Sequence, residues 1–228
     1  MTSKRKVSRI AGLLYLVVVI TGMFSLAYVP RQLFVWDDPG KTFANMLANE
    51  SLLRLSLLSS VACYLSFTFL ALVLYHLLKE VNGFFAKAMA VLAIISVPMS
   101  FINLAHKYDL LNLLAASKQG AAGLPAQAML YLEQYDNGLL VTTVFWGLWL
   151  LPFGYLVYKS TFLPKFFGVL LMLGCAGYLV NFTGNTLSAN YSSTGLSSYL
   201  RLLPALGEIG ICLWLLIIGA RERKVIVV

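Results

Sequence analysis

The chain has 228 residues, of which 60% are apolar and only 11% charged, and its formal net charge is +8. Soluble domains are typically about 45–50% apolar and about 25% charged, so the composition excludes a soluble globular protein. It indicates an integral membrane protein instead.

Six apolar stretches are long enough to cross a hydrocarbon core, which takes about 20 residues of helix. They predict an all-α, polytopic membrane protein in which residues 1–228 form a single integral membrane domain. The predicted spans are about 9–29, 52–78, 85–107, 138–158, 166–183 and 202–220. The first span follows the basic run at 4–9 and stays apolar for 20 residues, from Ile10 to Val29, which is longer than the apolar region of a signal peptide, so we interpret it as an uncleaved span.

A short amphipathic helix is predicted at about 39–49, between the first two spans. Asp38 stands directly before Pro39, and an acidic cap followed by proline is typical of a helix start. Phe43, Met46 and Leu47 then follow at helical spacing. We expect this helix to lie on the outer surface of the membrane.

The third span is expected to continue as a helix to about Ser117 and to break in the glycine-containing segment that follows it. A new helix is predicted to start near Pro125 and to run without interruption through the fourth span. The six spans therefore pair as three hairpins.

Basic residues are concentrated at one set of span ends. Eleven of the 17 lie there: Lys4, Arg5, Lys6, Arg9, Lys79, Lys87, Lys159, Lys165, Arg221, Arg223 and Lys224. Short loops rich in Lys and Arg stay in the cytoplasm, so both termini are predicted to be cytoplasmic in a multi-pass protein of the plasma membrane. Anionic lipid headgroups at the cytoplasmic face are the expected partners of these charges, and nucleic acid is not expected.

The three hairpins show a regular spacing. Arg9, Lys87 and Lys165 open them at intervals of 78 residues, and Ser25, Asn103 and Asn181 each follow sixteen residues later. A triplicated repeat and hairpins of similar length both account for this spacing. In either case, the second set of residues is expected toward the outer leaflet.

The fourth span carries the run F-W-G-L-W-L-L-P-F-G-Y-L-V-Y-K-S at 145–160, followed by F-L-P-K-F-F-G at 162–168. With R-I-A-G-L-L-Y at 9–15 and C-L-W-L-L at 212–216, the sequence resembles an uncharacterised bacterial family of multi-pass membrane proteins, the domain of unknown function DUF4386. The resemblance implies an all-helical bacterial inner-membrane protein and no particular activity.

Polar residues in the outer half of the spans predict a pocket that is open to the outer face. Asn103, His106 and Asp109 share one helix face, where Asp109 can orient His106 by a hydrogen bond. Lys107 points elsewhere and is expected to snorkel to lipid headgroups. The full set of candidate ligand-binding residues is Arg54, Asn103, His106, Asp109, Asp136, Asn181 and Glu208.

Glu208 is the deepest acid, and an isolated carboxylate at that depth requires a partner or a proton. Its candidate partners are Arg54, Arg201 and His106. Solvated helix ends are the alternative interpretation of His106, Asp109 and Asp136. Cys63, Cys175 and Cys212 lie within spans, have no metal-binding spacing and are interpreted as small apolar residues. No metal and no cofactor is predicted.

These features favour a binding or sensing protein for a lipid headgroup or a small polar ligand at the outer face. A transporter of small molecules or ions is the first alternative, although the inner half of each span lacks polar groups. An intramembrane enzyme using His106, Asp109 and Glu208 is the second, and the sequence favours a protein that is not an enzyme. Oligomerisation is left open.

Overall fold

Six helices are long and apolar enough to cross a membrane. The computed structural model describes residues 4–188 and 190–220, and that part of the chain is helical with no strand. The spanning helices are α1 (Lys4–Leu33), α3 (Glu50–Leu78), α4 (Gly83–Ser117), α5 (Leu124–Lys159), α6 (Lys165–Leu187) and α7 (Leu196–Ile218). Helix α2 (Pro39–Ala48) is shorter. The predicted fold class and the number of spans are confirmed.

Helix α2 begins as the sequence predicts. The Asp38 carboxylate accepts a hydrogen bond from the Lys41 backbone N–H at 2.8 Å, which satisfies one of the open donors of the first turn. Phe43 and Met46 are buried. The Thr42 hydroxyl exchanges two hydrogen bonds with the backbone of Val35, at 2.7 and 2.8 Å, and so fixes the connection that precedes the helix.

The third span continues to Ser117 and then breaks, as predicted. Gly120 and Gly123 have positive φ angles of 80° and 73°, a conformation that costs glycine little. Helix α5 starts at Leu124 and has one irregularity, at Trp149 between its segments Leu124–Leu148 and Leu150–Lys159. Pro152 accounts for it, since proline offers no N–H to the carbonyl four residues earlier, at Leu148.

The chain folds as two compact units. In the first unit (described residues 4–16, 66–96, 141–188 and 190–220), α6 packs against α7 and against the C-terminal segment of α5. Glycines allow this approach: a Cβ at Gly168 would lie 2.6 Å from the Gly154 carbonyl oxygen and 2.7 Å from the Tyr158 nitrogen. Trp149, only 1% exposed, stacks on Phe153 in the same unit, with 5.1 Å between ring centroids.

The second unit (residues 17–65 and 97–140) contains parts of the sequence-predicted spans one to four and all of α2. Its buried positions include serines as well as leucines: Ser25, Ser56 and Ser60 are at most 1% exposed. The predicted basic cluster after the last span, Arg221, Arg223 and Lys224, lies outside the described residues.

The contact between α5 and α6 generates a stability prediction. Gly168→Ala places a methyl group against backbone atoms that cannot rotate away, so we expect the melting temperature in detergent to fall by at least about 3 °C, given about 1–3 kcal/mol for overpacking. Gly83→Ala is the matched control because its Cβ meets nothing within 4 Å. Equal melting temperatures for the two variants would contradict this packing.

Candidate functional site

Lys107 is the most unusual residue of the second unit, because it is fully buried (0% exposed) in a membrane-spanning helix. The expectation that it snorkels to headgroups is therefore wrong. Helix α4 continues for ten residues beyond Lys107, about 15 Å, so this lysine does not lie at a helix end. Its side chain points into the unit, whereas the neighbouring Tyr108 is exposed.

Three neutral groups from three other helix segments surround the Lys107 ammonium. Nζ donates to the Ser25 backbone oxygen of α1 at 3.2 Å and to the Ser56 hydroxyl of α3 at 3.0 Å. It also lies 4.6 Å from the centroid of the Tyr135 ring of α5, within the range of a cation–π interaction. The lysine thus connects four helices of one unit through a single atom.

The Ser25 carbonyl can accept a hydrogen bond from Lys107 because the helix around it is irregular. Residues 24–28 form a π-helical turn, in which the Val29 N–H donates to the Phe24 oxygen instead of the Ser25 oxygen. The next donor along the chain would be residue 30, but Pro30 has no N–H. The Ser25 carbonyl is therefore left without a backbone partner. In the hydrocarbon core, an unsatisfied carbonyl costs roughly several kcal/mol. The Lys107 ammonium satisfies it.

Asn103, one turn before Lys107, holds the backbone of Tyr135, whose ring faces the lysine. Its Nδ2 donates to the Tyr135 backbone oxygen at 2.9 Å, and the side chain is only 6% exposed. Gly138 lies against the Asn103 amide, and any Cβ at that position would overlap it. Asn103 was predicted as a ligand-binding residue, and the structure places it beside Lys107 as a residue that holds α4 and α5 together.

Charge compensation is missing at this site. No carboxylate within the described part of the chain lies within 4.0 Å of the Lys107 ammonium. Burial of a charge is costly unless it is paired and hydrogen-bonded. One carbonyl oxygen, one hydroxyl oxygen and one aromatic ring surround Nζ, but none of them carries a negative charge that would neutralise an ammonium. Chemically, the Lys107 side chain can bind an anion or donate a proton.

His106 and Asp109 do not form the predicted pair. The Nδ1 atom of His106 is buried without a hydrogen-bond partner in the described structure, so it does not bond to Asp109. Both residues are half-buried. A residue spacing of three on a helix brings side chains near each other but does not set the rotamers that a hydrogen bond requires.

Arg54 and Asp136 occupy the surface of the same unit. Arg54 donates to the Glu50 carboxylate at 2.6 and 2.8 Å, and Lys118 reaches the other Glu50 oxygen at 3.0 Å. Asp136 is exposed on α5. Exposed ion pairs of this kind contribute little to stability, and the Arg54 guanidinium lies at the surface of the unit.

Glu208 belongs to the first unit, and its hydrogen-bond partner there is a tyrosine. The Tyr15 hydroxyl, on α1, donates to Oε2 of Glu208, on α7, at 2.8 Å. Tyr15 is fully buried and lies beside Trp149, with 6.3 Å between ring centroids. Arg201, one of the predicted partners, instead donates to the Ser197 hydroxyl at 2.9 Å.

Asn181, also in the first unit, connects three elements by hydrogen bonds. Its Nδ2 donates to the Ser197 backbone oxygen at 3.4 Å, and its Oδ1 accepts from the Tyr191 hydroxyl at 2.9 Å. These bonds join α6 to the short helical turn Tyr191–Thr194 and to the first turn of α7. No group of three metal-ligating side chains occurs among the described residues.

Sequence reasoning named Asn103 and Glu208 but missed Lys107, Ser56 and Tyr15. Pro30 is the signal that could have found the lysine site, because a proline at the end of a predicted span implies an unpaired carbonyl near residue 25 or 26. No comparable signal points to Tyr15, which is an ordinary aromatic residue in an apolar span.

Six spanning helices and an all-helical fold make this chain a multi-pass membrane protein. It belongs to the family described as domain of unknown function DUF4386, whose model matches residues 10–219. No curated protein and no solved structure matches the chain.

Proposed function

We propose that this protein is a membrane-embedded binding or sensing protein and that Lys107 is the anchor of its site. The ligand class is a small anion, either a free carboxylate or phosphate or the phosphate of a lipid headgroup. The observation that carries the proposal is a fully buried lysine whose Nζ has no carboxylate partner among the described residues. Intramembrane charges of this kind are expensive and are commonly functional.

The chemistry of the site suits an anion. A charge-assisted hydrogen bond between an ammonium and an anionic oxygen is roughly twice as strong as one between neutral groups. The Ser56 hydroxyl can rotate away from Nζ, whereas the Ser25 oxygen belongs to the backbone and Asn103 holds the Tyr135 backbone. Binding therefore exchanges the hydroxyl for the anion and keeps the carbonyl and the ring in place.

Transport of the same anion is the second candidate function. Transporters commonly carry interrupted helices next to their binding sites, and the π-helical turn at 24–28 of α1 contributes an oxygen to the lysine site. Uptake of radiolabelled phosphate into proteoliposomes separates the two candidates: uptake that Lys107→Met abolishes favours transport, and binding without uptake favours the sensor.

Binding can be measured by isothermal titration calorimetry of the purified protein in dodecyl maltoside. The probes are inorganic phosphate, acetate and glycerol 3-phosphate at constant ionic strength. We expect at least one probe to bind the wild type and to bind Lys107→Met at least tenfold more weakly, a difference of about 1.4 kcal/mol.

Lys118→Gln is the matched control for that experiment, because it also removes one positive charge from the second unit but at an exposed position. We expect its affinity to remain within twofold of the wild type. Equal affinities of the wild type and Lys107→Met, or no binding of any of the three probes, would contradict the proposal.

We infer that the protein lies in the plasma membrane of a bacterium, with both termini in the cytoplasm and the lysine site in the outer half. The distribution of the basic residues supports this orientation. In a background with Cys63, Cys175 and Cys212 replaced by alanine, Lys41→Cys should react with an impermeant maleimide on intact spheroplasts. Lys79→Cys should react only after permeabilisation. The reverse labelling pattern would contradict the proposed orientation.

A further inference from the structure

A groove of about 530 Å³ runs along the first turns of α1 in the first unit. Its lining is divided by chemistry: three residues are basic and three are aliphatic. They are Arg5, Lys6, Arg9, Ile10, Leu13 and Leu216. None of the six is acidic, and the groove is independent of the lysine site proposed above.

The positions of these residues on α1 place the charges at one end of the groove. Lys6 and Ile10 are four residues apart, as are Arg9 and Leu13, so each pair lies on one face. From Arg5 to Leu13 the helix rises about 12 Å. Arg5, Lys6, Arg9, Ile10 and Leu13 are all exposed, and the surface changes from basic to aliphatic over about two turns.

The wall that α7 contributes is held in place by backbone contacts. Gly12 lies so close to the backbone of Leu216 that any Cβ at residue 12 would overlap it. The Ser8 hydroxyl donates to the Leu215 oxygen at 3.5 Å, and the Arg9 guanidinium donates to the Ile217 oxygen at 3.3 Å. These carbonyls belong to the π-helical end of α7, Trp214–Ile218, so the groove is a built feature of the contact between α1 and α7.

Glu80, an acid of the first unit, is already paired. Glu80, in the turn after α3, forms an ion pair with Lys4 at 2.6 Å, and the hydrogen bond from Lys4 lowers the pKa of the Glu80 carboxyl. That acid lines a different cavity, together with Lys4 and Lys159. The described residues that line the α1 groove thus include three basic residues and no acid.

We propose that this groove is a binding site for an anionic glycerophospholipid. The phosphodiester binds among Arg5, Lys6 and Arg9, where a guanidinium can hold two phosphate oxygens at once. One acyl chain lies along Ile10, Leu13 and Leu216. Basic pockets at the ends of membrane helices bind anionic headgroups, and the aliphatic half of this lining requires a lipid in place of free phosphate.

The test is native mass spectrometry of the purified full-length protein with phosphatidylglycerol or phosphatidylcholine added in detergent. We expect the wild type to retain phosphatidylglycerol at least fivefold more than phosphatidylcholine. The triple variant Arg5→Gln, Lys6→Gln, Arg9→Gln should lose this preference. A control triple, Lys79→Gln, Lys87→Gln, Lys165→Gln, removes the same charge elsewhere and should keep the preference within twofold.

A second variant tests the acyl half without a change of charge. Leu13 is 55% exposed, so Leu13→Trp fills the groove from its open side and should reduce retention of phosphatidylglycerol at least threefold. A hundredfold excess of glycerol 3-phosphate should not displace the lipid. An unchanged preference in the first triple variant, equal losses in both triples, unchanged retention in Leu13→Trp or displacement by glycerol 3-phosphate would each overturn the proposal.

Discussion

In a membrane, every backbone carbonyl needs a partner within the protein, and the second unit depends on how it meets this requirement at one atom. The π-helical turn at 24–28 and Pro30 together leave the Ser25 carbonyl without a backbone donor. The Lys107 ammonium provides the missing hydrogen bond at 3.2 Å. The same nitrogen reaches Ser56 and the Tyr135 ring, so one local defect in α1 determines where α3, α4 and α5 meet.

A similar defect occurs at the end of α7, in the first unit. There the π-helical turn Trp214–Ile218 offers carbonyl oxygens that the side chains of Ser8 and Arg9 reach from α1. In both places an interrupted helix is stabilised by a polar or charged side chain of another helix. A basic residue lies at each interruption, Lys107 at the first and Arg9 at the second. The two functional proposals include these residues.

The spans and the cap of α2 could be predicted because their signals are local: apolar length for a span, and Asp38 before Pro39 for the cap. The site could be predicted only in part. Glu208 was predicted as a site residue because of its depth in the last span. Its partner Tyr15 could not be predicted, because it lies 193 residues away in sequence and no local pattern connects the two. The continuation of α4 to Ser117 was predicted, but the inward direction of the Lys107 side chain was not, because it depends on which face of α4 packs against the other helices.

The central claim is that the Lys107 side chain holds the second unit together at the Ser25 carbonyl, and thermal unfolding of Lys107→Met in detergent tests it most directly. Methionine keeps most of the volume but has no hydrogen-bond donor, so the Ser25 carbonyl loses the partner that it needs within the protein. We therefore expect the melting temperature to fall by more than about 5 °C, or roughly 2 kcal/mol for a chain of this size. A melting temperature equal to or higher than that of the wild type would contradict this claim.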